Sequence, residues 1–264
     1  MRRFLRYWKD KKERKLMREI KGENIKNEKK KAILIGLNYP GSHYQLRGCI
    51  NDVKNGAIYL SDHGYDAKVL VDKDISAKYN LLEALAELMD NNSPSVFFHY
   101  SGHGTQTADL DGDEEDHLDE VVYSKDGVMI TDDQINDALK LFPENKVVFL
   151  VFDCCHSSSI VDLPYTLTET GIKTNKINKK LKAKVICISA CQDPQTAADV
   201  NDRGTAYGAL SATLYSLLRT YQYQDLTWKQ LYIHLLFEMR KKKYVQLPSI
   251  SASDPSLFDQ HIDF

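Results

Sequence analysis

Short apolar runs alternate with amphipathic segments along most of the chain. The runs are rich in β-branched and aromatic residues, have the length of buried strands, and lie at 32–37, 67–71, 96–100, 120–124, 147–152 and 183–189. Apolar residues recur at helical spacing between them, in segments that lie at 51–63, 76–89, 132–141, 206–218 and 227–242. Strands that alternate with helices predict an α/β fold, a doubly wound and mostly parallel sheet with helices on both faces.

The run at 147–152 is the organising strand of this prediction, because reactive side chains follow its end. The apolar residues stop at Phe152, and the sequence DCCHSS follows at 153–158. The run at 96–100 stops in the same way before the sequence SGHG at 101–104. Ligands of open α/β sheets bind beyond the carboxyl ends of the strands. The sequence therefore predicts a functional site built from these two strand ends.

A cysteine and a histidine at these two strand ends indicate nucleophilic catalysis. A thiol attacks as its thiolate, and a neighbouring imidazole lowers the thiol pKa and supplies a proton to the leaving amine. An isolated cysteine is more often a small buried apolar residue. Here, however, His103 lies between two glycines, which a histidine packed in a core does not need. The amide of Gly104, with that of the nucleophile, is a candidate oxyanion hole.

Strand parity assigns these side chains to faces of the sheet. If the chain stays extended, Asp153 and Cys155 point to one face and Cys154 points to the other. Ser101 and His103 share a face by the same rule. One constellation of Ser101, His103, Asp153 and Cys155 is therefore predicted. The residues alone do not choose between Cys154 and Cys155 as the nucleophile.

The formal net charge of −2 conceals a basic arm and an acidic body. Residues 1–31 carry 14 Lys and Arg against 5 Asp and Glu, a balance of +9, and the remaining residues carry 21 against 32, a balance of −11. We interpret residues 1–30 as a solvated arm, with membrane-surface contact, nucleic-acid contact or cover of an acidic cleft as alternatives. Because no nucleic-acid signature beyond charge is present, we expect no specific nucleic-acid partner.

The composition is that of an ordinary globular protein, with 42% hydrophobic and 27% charged residues. No run reaches the roughly 18 consecutive apolar residues of a transmembrane helix. The N-terminus shows no secretory h-region. Five cysteines are an odd and sparse set, which argues against a disulfide framework and suits a reducing compartment. We therefore expect a cytoplasmic protein without a transmembrane segment.

Two motifs point to a family. The sequences HYSGHGTQ at 99–106 and DCCHS at 153–157 resemble the two catalytic signatures of metacaspases, which are cysteine peptidases with the caspase fold. Segments at 46–53, 188–193 and 246–248 are similar to further segments of that family. The resemblance extends from about residue 31 to the C-terminus. The brief linker after the nucleophile and the absence of a long insert suggest the type I branch.

The resemblance implies a caspase-like fold in a single peptidase domain at 31–264, preceded by the basic arm at 1–30. The expected division of this domain is a large part at 31–163, a linker at 164–182 and a small part at 183–264. The linker contains several lysines. An enzyme that cleaves after Lys or Arg could process itself there, because exposed flexible segments are the usual sites of nicking.

The resemblance also assigns the active site. It implies that Cys155 is the nucleophile and His103 its dyad partner. The substrate pocket of the family matches Cys49, Asp52, Ser101 and Asp153. Its carboxylates would bind the cationic head of an Arg or Lys at the P1 position of the substrate, the residue that precedes the cleaved bond. The expected partners are therefore protein or peptide substrates with P1 Arg or Lys, and the chain is expected to be a monomer.

Calcium is the cofactor that the resemblance implies. The acidic stretch at 109–120 does not fit an EF-hand, because its glycine stands at the fourth position rather than the sixth. The family match instead assigns Ca²⁺ ligation to Asp119, Asp132, Asp133 and Asp162, and a role for Ca²⁺ in switching activity on. The alternatives are a solvated charge run for the acidic stretch and helix capping for Asp132 and Asp133.

Three other functions compete with an active cysteine peptidase. The family's glycine after Cys-His-Ser is Ser158 here, so a weak or inactive protein that binds or regulates is the main alternative. A serine hydrolase using Ser157 or Ser158 would lack the G-x-S-x-G elbow. A metal or redox protein using Cys154, Cys155 and His156 would lack a second cluster of ligands.

Overall fold

The computed structural model describes residues 30–76, 78–89, 93–109, 117–125, 127–155, 159–176, 180–191, 199–202, 205–221, 226–244 and 246–264. Residues 1–29 of the predicted arm at 1–30 lie outside the described residues, as do most of the acidic stretch and the residues His156, Ser157 and Ser158. None of the helices in the described ranges is long and apolar enough to cross a membrane.

The described ranges contain thirteen strands, which fall into one large and two small sheets. In chain order they are β1 (Lys31–Gly36), β2 (Asp66–Val71), β3 (Ser95–Ser101), β4 (Gly104–Ala108), β5 (Leu118–Tyr123), β6 (Met129–Thr131), β7 (Val147–Asp153), β8 (Tyr165–Thr168), β9 (Gly171–Thr174), β10 (Lys184–Cys191), β11 (Asp199–Asp202), β12 (Thr205–Gly208) and β13 (Leu247–Ala252). The large sheet has the order β2-β1-β3-β7-β10-β13-β8-β9, and its pairings from β2 to β10 are parallel. The predicted central strand β7 therefore lies between β3 and β10.

Within the described ranges, five α-helices cover the two faces of the large sheet. They are α1 (Cys49–Asp62), α2 (Leu81–Met89), α3 (Asp132–Leu139), α4 (Ala209–Thr220) and α5 (Trp228–Lys241). Alternate residues of the strands belong to two separate cores, since Phe149 and Val151 pack with α1, α4 and α5, whereas Leu150 and Phe152 pack with α2 and α3. Both faces are thus buried, as the continuous apolar runs predict. The predicted doubly wound α/β fold is confirmed.

Local polar signals set where two of the helices begin. The predicted helix 76–89 begins only at Leu81, because Asn80 Oδ1 accepts the N–H of Leu82 at 2.8 Å and Glu83 accepts the N–H of Asn80 at 2.9 Å. The start of α3 has the same type of reciprocal cap, between Thr131 and Gln134. The expected start of the first of these helices at 76 was therefore wrong by about one helical turn.

The predicted linker at 164–182 is not structureless in its described part. Residues 165–174 form the hairpin β8–β9, and β8 pairs antiparallel with β13 at the edge of the large sheet. The sequence analysis also missed β4, β6, β11, β12 and β13, which are short or polar. The small sheet β4-β5-β6 lies directly after β3 in the chain, so it carries the residues that follow His103.

Candidate active site

The ends of β3 and β7 lie side by side, in register. Ser101 pairs with Asp153, and the N–H of Gly102 donates to the carbonyl oxygen of Asp153 at 3.3 Å. His103 and Cys155 each follow this paired position by two residues. The predicted imidazole and thiol therefore follow neighbouring strands at the same carboxyl edge of the sheet.

The imidazole of His103 is held by a backbone carbonyl and two aromatic rings. Its Nε2 lies 2.6 Å from the carbonyl oxygen of Tyr44. The ring centroids of Tyr39 and Tyr44 lie 4.9 and 5.7 Å from that of the imidazole. A carbonyl oxygen can only accept, so in the neutral ring Nε2 carries the proton and Nδ1 keeps the lone pair. Such a ring can act as a base through Nδ1.

A tyrosine hydroxyl replaces one backbone hydrogen bond beside His103. The N–H of Tyr123 donates to the carbonyl of His103 at 3.1 Å, and a regular antiparallel pair would also make the reciprocal bond. Instead, the N–H of His103 donates to the Tyr39 hydroxyl at 3.1 Å, and this hydroxyl lies 3.0 Å from the carbonyl oxygen of Tyr123. The Tyr100 hydroxyl lies 3.0 Å from that of Tyr39. It also lies 2.9 Å from the carbonyl oxygen of His103 and 2.8 Å from that of Tyr123, and it can donate to either. The backbone of His103 is thus fixed by two buried side chains.

The two adjacent cysteines have different environments. Cys154 is 3% exposed and packs in the core beside α2 and α3, whereas Cys155 is partly exposed and lines an open pocket. Cys49 and Cys187 are buried, and burial raises the pKa of the Cys187 thiol well above its usual range. Of the four cysteines whose burial the structure describes, Cys155 is therefore the most exposed to solvent.

Gly104 allows the two strand ends to approach each other. A Cβ atom on this residue would lie 2.2 Å from the carbonyl oxygen of Cys155 and 3.2 Å from Sγ of Cys154. No side chain fits at such distances. The glycine after the histidine is therefore required by the contact between β4 and the chain segment that carries the thiol.

The pocket beside Cys155 has an empty volume of about 320 Å³, including space open to solvent. Its lining residues are Leu46, Cys49, Asp52, Ser101, Gly102, Asp153, Cys154, Cys155, Gly208 and Gln246. All four residues predicted for the substrate pocket are among them. The structure therefore brings the predicted thiol and the predicted pocket residues into one cavity.

Two buried carboxylates give this pocket its acidic character. Asp52 is fully buried and accepts the Ser101 hydroxyl at 2.8 Å and the N–H of Gly208 at 2.9 Å. Asp153, 6% exposed, accepts the N–H of Ser211 at 2.8 Å. These donors come from neutral groups, so they orient the carboxylates without neutralising their charge. The pocket is suited to a cationic side chain.

A buried histidine supports the second carboxylate. Nε2 of His99 lies 3.1 Å from Oγ of Ser211, and Nδ1 lies 3.0 Å from the hydroxyl of Tyr215. Burial lowers the pKa of His99 to about 3, so its ring is neutral at physiological pH. The histidine thus positions the first turn of α4, and the Ser211 amide of that turn holds Asp153.

Sequence reasoning missed Gly208 and Gln246. Gly208 precedes α4, and a Cβ there would lie 2.3 Å from Oδ2 of Asp153 and 2.9 Å from Oδ2 of Asp52. It is the last residue of β12 in the short hairpin β11–β12, which no apolar pattern in the sequence predicts. Gln246 belongs to the segment at 246–248 that resembles the family, but nothing in the sequence connects that segment to the pocket.

A second acidic cluster lies near α3. Oδ2 of Asp132 accepts the N–H of Glu120 at 2.9 Å. Burial, and then the charge of Asp162, raise the pKa of Asp132 to about 9. The pKa of Glu120 is also raised, mainly by burial. The structure therefore brings together Asp132 and Asp162, which were predicted, and Glu120, which was not.

The other two predicted calcium ligands are placed differently. Asp119 directly precedes Glu120 on β5, so their side chains leave opposite faces of that strand. Asp133 is the second residue of α3, and its N–H donates to Oδ1 of Asp132 at 2.7 Å. Within the described ranges, no three His, Cys, Asp or Glu side chains form a group that could hold a metal ion as they stand.

Comparisons with known proteins agree with this architecture. The caspase domain family matches residues 29–258. Metacaspase-1 of Debaryomyces hansenii is 34% identical over 90% of this chain and 67% of its own length. Metacaspase-1A of Aspergillus terreus is 35% identical over 86% of this chain and 71% of its own length. A crystal structure of a Geobacter sulfurreducens protein superposes with a TM-score of 0.65 at 23% identity, covering 88% of this chain and 97% of that one, which supports the fold. The chain belongs to the metacaspases, cysteine peptidases with the caspase fold.

Proposed function

We propose that the chain is a calcium-dependent endopeptidase that cleaves after Arg or Lys through the thiol of Cys155 and the imidazole of His103. The observation that carries the specificity is the pair of buried carboxylates, Asp52 and Asp153, in the pocket that Cys155 lines. An acidic pocket attracts and hydrogen-bonds a guanidinium or ammonium group, and it repels an acidic P1 side chain.

The chemistry follows from the two strand ends. His103 accepts the thiol proton at Nδ1, and the thiolate of Cys155 attacks the carbonyl carbon of the peptide bond. The imidazolium then donates this proton to the leaving amine, and an acyl-enzyme thioester remains. Water attacks the thioester with His103 as general base, which releases the acid product and restores the thiol. The carbonyl of Tyr44 keeps the ring oriented during both transfers.

The amide of Gly104 is suited to stabilise the oxyanion. His103 and Tyr123 form the hydrogen-bonded position of the β4–β5 ladder, so the next pair, Gly104 and Val122, is a non-hydrogen-bonded one. The N–H of Gly104 therefore points away from β5. A Cβ on Gly104 would lie 2.2 Å from the carbonyl oxygen of Cys155, so the backbone of Gly104 is close to the segment that carries the thiol, which supports this role.

Hydrolysis of matched fluorogenic peptides tests the proposed function. Peptides that end in Arg, Lys or Asp at P1 are offered to the wild type and to Cys155→Ala, with Ca²⁺ or with EGTA. We expect hydrolysis of the Arg and Lys peptides by the wild type only, and only with Ca²⁺. Cleavage of the Asp peptide, or equal rates with EGTA, would contradict the specificity or the calcium dependence respectively.

The carboxyl groups near α3 are of the type that a hard divalent cation prefers, and they would have to rearrange to hold one, since no three described side chains form such a group as they stand. Asp132 and Asp162, with Glu120 beside them, offer oxygen ligands, and burial raises the pKa values of both Asp132 and Glu120, the charge of Asp162 adding to the rise at Asp132. For Asp119 and Asp133 the assignment continues to rest on the family resemblance. Bound Ca²⁺ would supply positive charge that allows these carboxyl groups to ionise together.

The acidic cluster near α3 includes and contacts the chain segment that follows Cys155. Asp162 is 1% exposed, adopts a left-handed backbone with φ of 48°, and lies seven residues beyond Cys155. The side chain of Asn136 on α3 donates to the neighbouring carbonyl of Val161 at 2.9 Å. A cation shared by Asp132 and Asp162 would therefore fix the loop that follows the nucleophile, which is how we infer that calcium acts.

Thermal unfolding tests the calcium site independently of activity. Ca²⁺ should raise the unfolding midpoint of the wild type, because a ligand that binds only the folded state stabilises it. Asp132→Asn should remove this rise. Asp137→Asn is the matched control, since Asp137 is exposed on the same helix and pairs with Lys140 at 2.9 Å. An undiminished rise in Asp132→Asn would exclude this residue as a ligand.

A further inference from the structure

The pocket contains a third acceptor beside its two carboxylates. Gln246, immediately before β13, is 4% exposed and lines the cavity with Asp52, Asp153 and Gly208. Its Oε1 is buried, and within the described part of the chain no group donates a hydrogen bond to it. The structure thus contains an almost completely buried carboxamide whose oxygen accepts no hydrogen bond from any described residue.

The two neighbouring carboxylates, in contrast to Gln246, accept hydrogen bonds from described residues. Ser101 and Gly208 donate to Asp52, and Ser211 donates to Asp153. A buried acceptor without a donor lowers the stability of the folded protein, so such groups are uncommon and tend to mark functional positions. A molecule that enters the cavity can supply the donor that Gln246 lacks.

The chemistry of the cavity narrows the choice of that donor. Two carboxylates already favour a cation, and a carboxamide adds an acceptor without adding a third negative charge that would repel them. A guanidinium carries five N–H donors on three nitrogen atoms in one plane. When one edge of that plane faces the carboxylates, donors on the other edge still need acceptors. A Lys ammonium has only three donors, all on one atom that can turn toward the carboxylates.

We propose that Gln246 is a specificity-determining residue, whose Oε1 accepts a hydrogen bond from the guanidinium of a P1 Arg and so favours Arg over Lys. This inference rests on the proposed function, because it needs a P1 cation in the same cavity. Gln246 thereby acts on substrate binding at the carboxyl edge of the sheet from a position beside β13, a strand that carries neither the thiol nor the imidazole.

Substitution of Gln246 separates a recognition role from a structural one. Gln246→Met keeps the size of the side chain and removes the acceptor, whereas Gln246→Glu keeps an acceptor oxygen. We expect Gln246→Met to lower kcat/KM for a P1-Arg peptide about tenfold and for the matching P1-Lys peptide less than about threefold. Because Gln246→Glu keeps an acceptor but adds a third acidic group beside Asp52 and Asp153, it should restore hydrolysis of the Arg peptide only in part, to a rate above that of Gln246→Met. Gln260→Met, at an exposed glutamine, is the matched control and should change neither rate.

The unfolding midpoint distinguishes the two roles of Gln246, because loss of a structural contact would lower it and loss of a recognition contact would not. Removal of an acceptor that has no donor should leave the midpoint of Gln246→Met unchanged or raise it by about 2–4 °C. If Gln246→Met lowered kcat/KM equally for the Arg and Lys peptides, or for neither, the role of Gln246 would be overturned. Hydrolysis of both peptides by the wild type would still support the proposed function. A lowered midpoint with no rescue by Gln246→Glu would also overturn it. Failure of the wild type to cleave either peptide would overturn both proposals.

Discussion

The hydroxyl of Tyr39 accepts the backbone N–H of His103 at 3.1 Å, across 64 residues of sequence. The same hydroxyl contacts the carbonyl oxygen of Tyr123 and completes the ladder between β4 and β5 through a side chain. Burial raises the pKa of Tyr39 well above its usual range, so this hydroxyl stays protonated and can donate at any physiological pH. The position of the imidazole therefore depends on the loop that follows β1.

Replacement of Tyr39 by Phe should impair turnover more than substrate binding. The change leaves a buried N–H and a carbonyl with one partner fewer, which costs about 1–3 kcal/mol of stability. A displaced imidazole should lower kcat about tenfold or more, with KM nearly unchanged. Tyr79→Phe is the control, because it deletes a hydroxyl that donates to Glu87 far from the site. A kcat equal to that of the wild type in Tyr39→Phe would show that Tyr39 does not position the base.

The two adjacent cysteines should differ in reactivity. Iodoacetamide should modify Cys155 before Cys154, Cys49 or Cys187, because these three are buried. Cys155→Ala should lower kcat by a factor on the order of 10⁴. Cys154→Ala should cost about 1 kcal/mol of stability through a small cavity and keep most of the activity. Mass spectrometry of the alkylated protein and steady-state kinetics check these outcomes, and preferential labelling of Cys154 would reverse the assignment.

Gly208 should be required for the cationic pocket. In Gly208→Ala the new methyl group would meet both Asp153 and Asp52, although the φ of −70° is ordinary for any residue. The carboxylates must move, so kcat/KM for a P1-Arg peptide should fall by about tenfold or more.

Gly171→Ala provides the contrast to Gly208→Ala. A methyl group on Gly171, which has φ of 132°, would meet no atom within 4 Å, so the substitution strains the backbone of the β8–β9 turn alone. It should lower the unfolding midpoint and leave kcat/KM for the Arg peptide unchanged. Equal peptide kinetics in Gly208→Ala and the wild type would mean that the carboxylates tolerate displacement.

The buried His99 should make the protein less stable in mild acid. The unfolded chain binds a proton on this histidine near pH 6.5, whereas the folded protein binds it only near pH 3. Stability from this group is therefore complete above pH 6.5 and is lost as the pH falls toward 3, by about 2 kcal/mol at pH 5.

Urea unfolding at pH 7.5 and pH 5 measures this effect. His99→Gln, which cannot titrate, should be less stable than the wild type at pH 7.5 because its packing is altered, but it should lose about 2 kcal/mol less on acidification. His261→Gln, at an exposed histidine, serves as control and should retain the wild-type difference between the two pH values. Identical differences for His99→Gln and the wild type would contradict a neutral buried imidazole.

The sequence predicts the parallel centre of the fold well because both faces of those strands are buried. A strand such as β7, in which every residue from Val148 to Asp153 is buried, necessarily reads as an apolar run. The hairpin β8–β9 has mostly exposed or half-buried residues, so a composition typical of linkers conceals it. Its pairing with β13 depends on long-range register, which local patterns do not contain.

In the candidate active site, too, some residues follow from local sequence patterns and others only from long-range contacts. His103, Cys155 and the pocket carboxylates follow from strand ends and motif resemblance, because the chain order of an α/β sheet fixes where strand ends meet. The roles of Tyr39, Gly208 and Gln246 depend on tertiary distances between distant segments. Glu120 rather than Asp119 lies beside Asp132 because of the face of β5 that meets α3. Two adjacent acidic residues in a sequence do not indicate which of them is on that face.

The segment between β7 and β10 contains the hairpin β8–β9 at the sheet edge, yet its two flanking strands are direct neighbours in the sheet. Lys173 and Lys176 are exposed in or just after β9. A backbone break after either lysine would leave six residue pairs joining β7 to β10, and β8 still attached to β13. The two fragments of a nicked molecule would therefore migrate as one particle under native conditions and come apart only in denaturant, so scission and dissociation are separate events in this architecture.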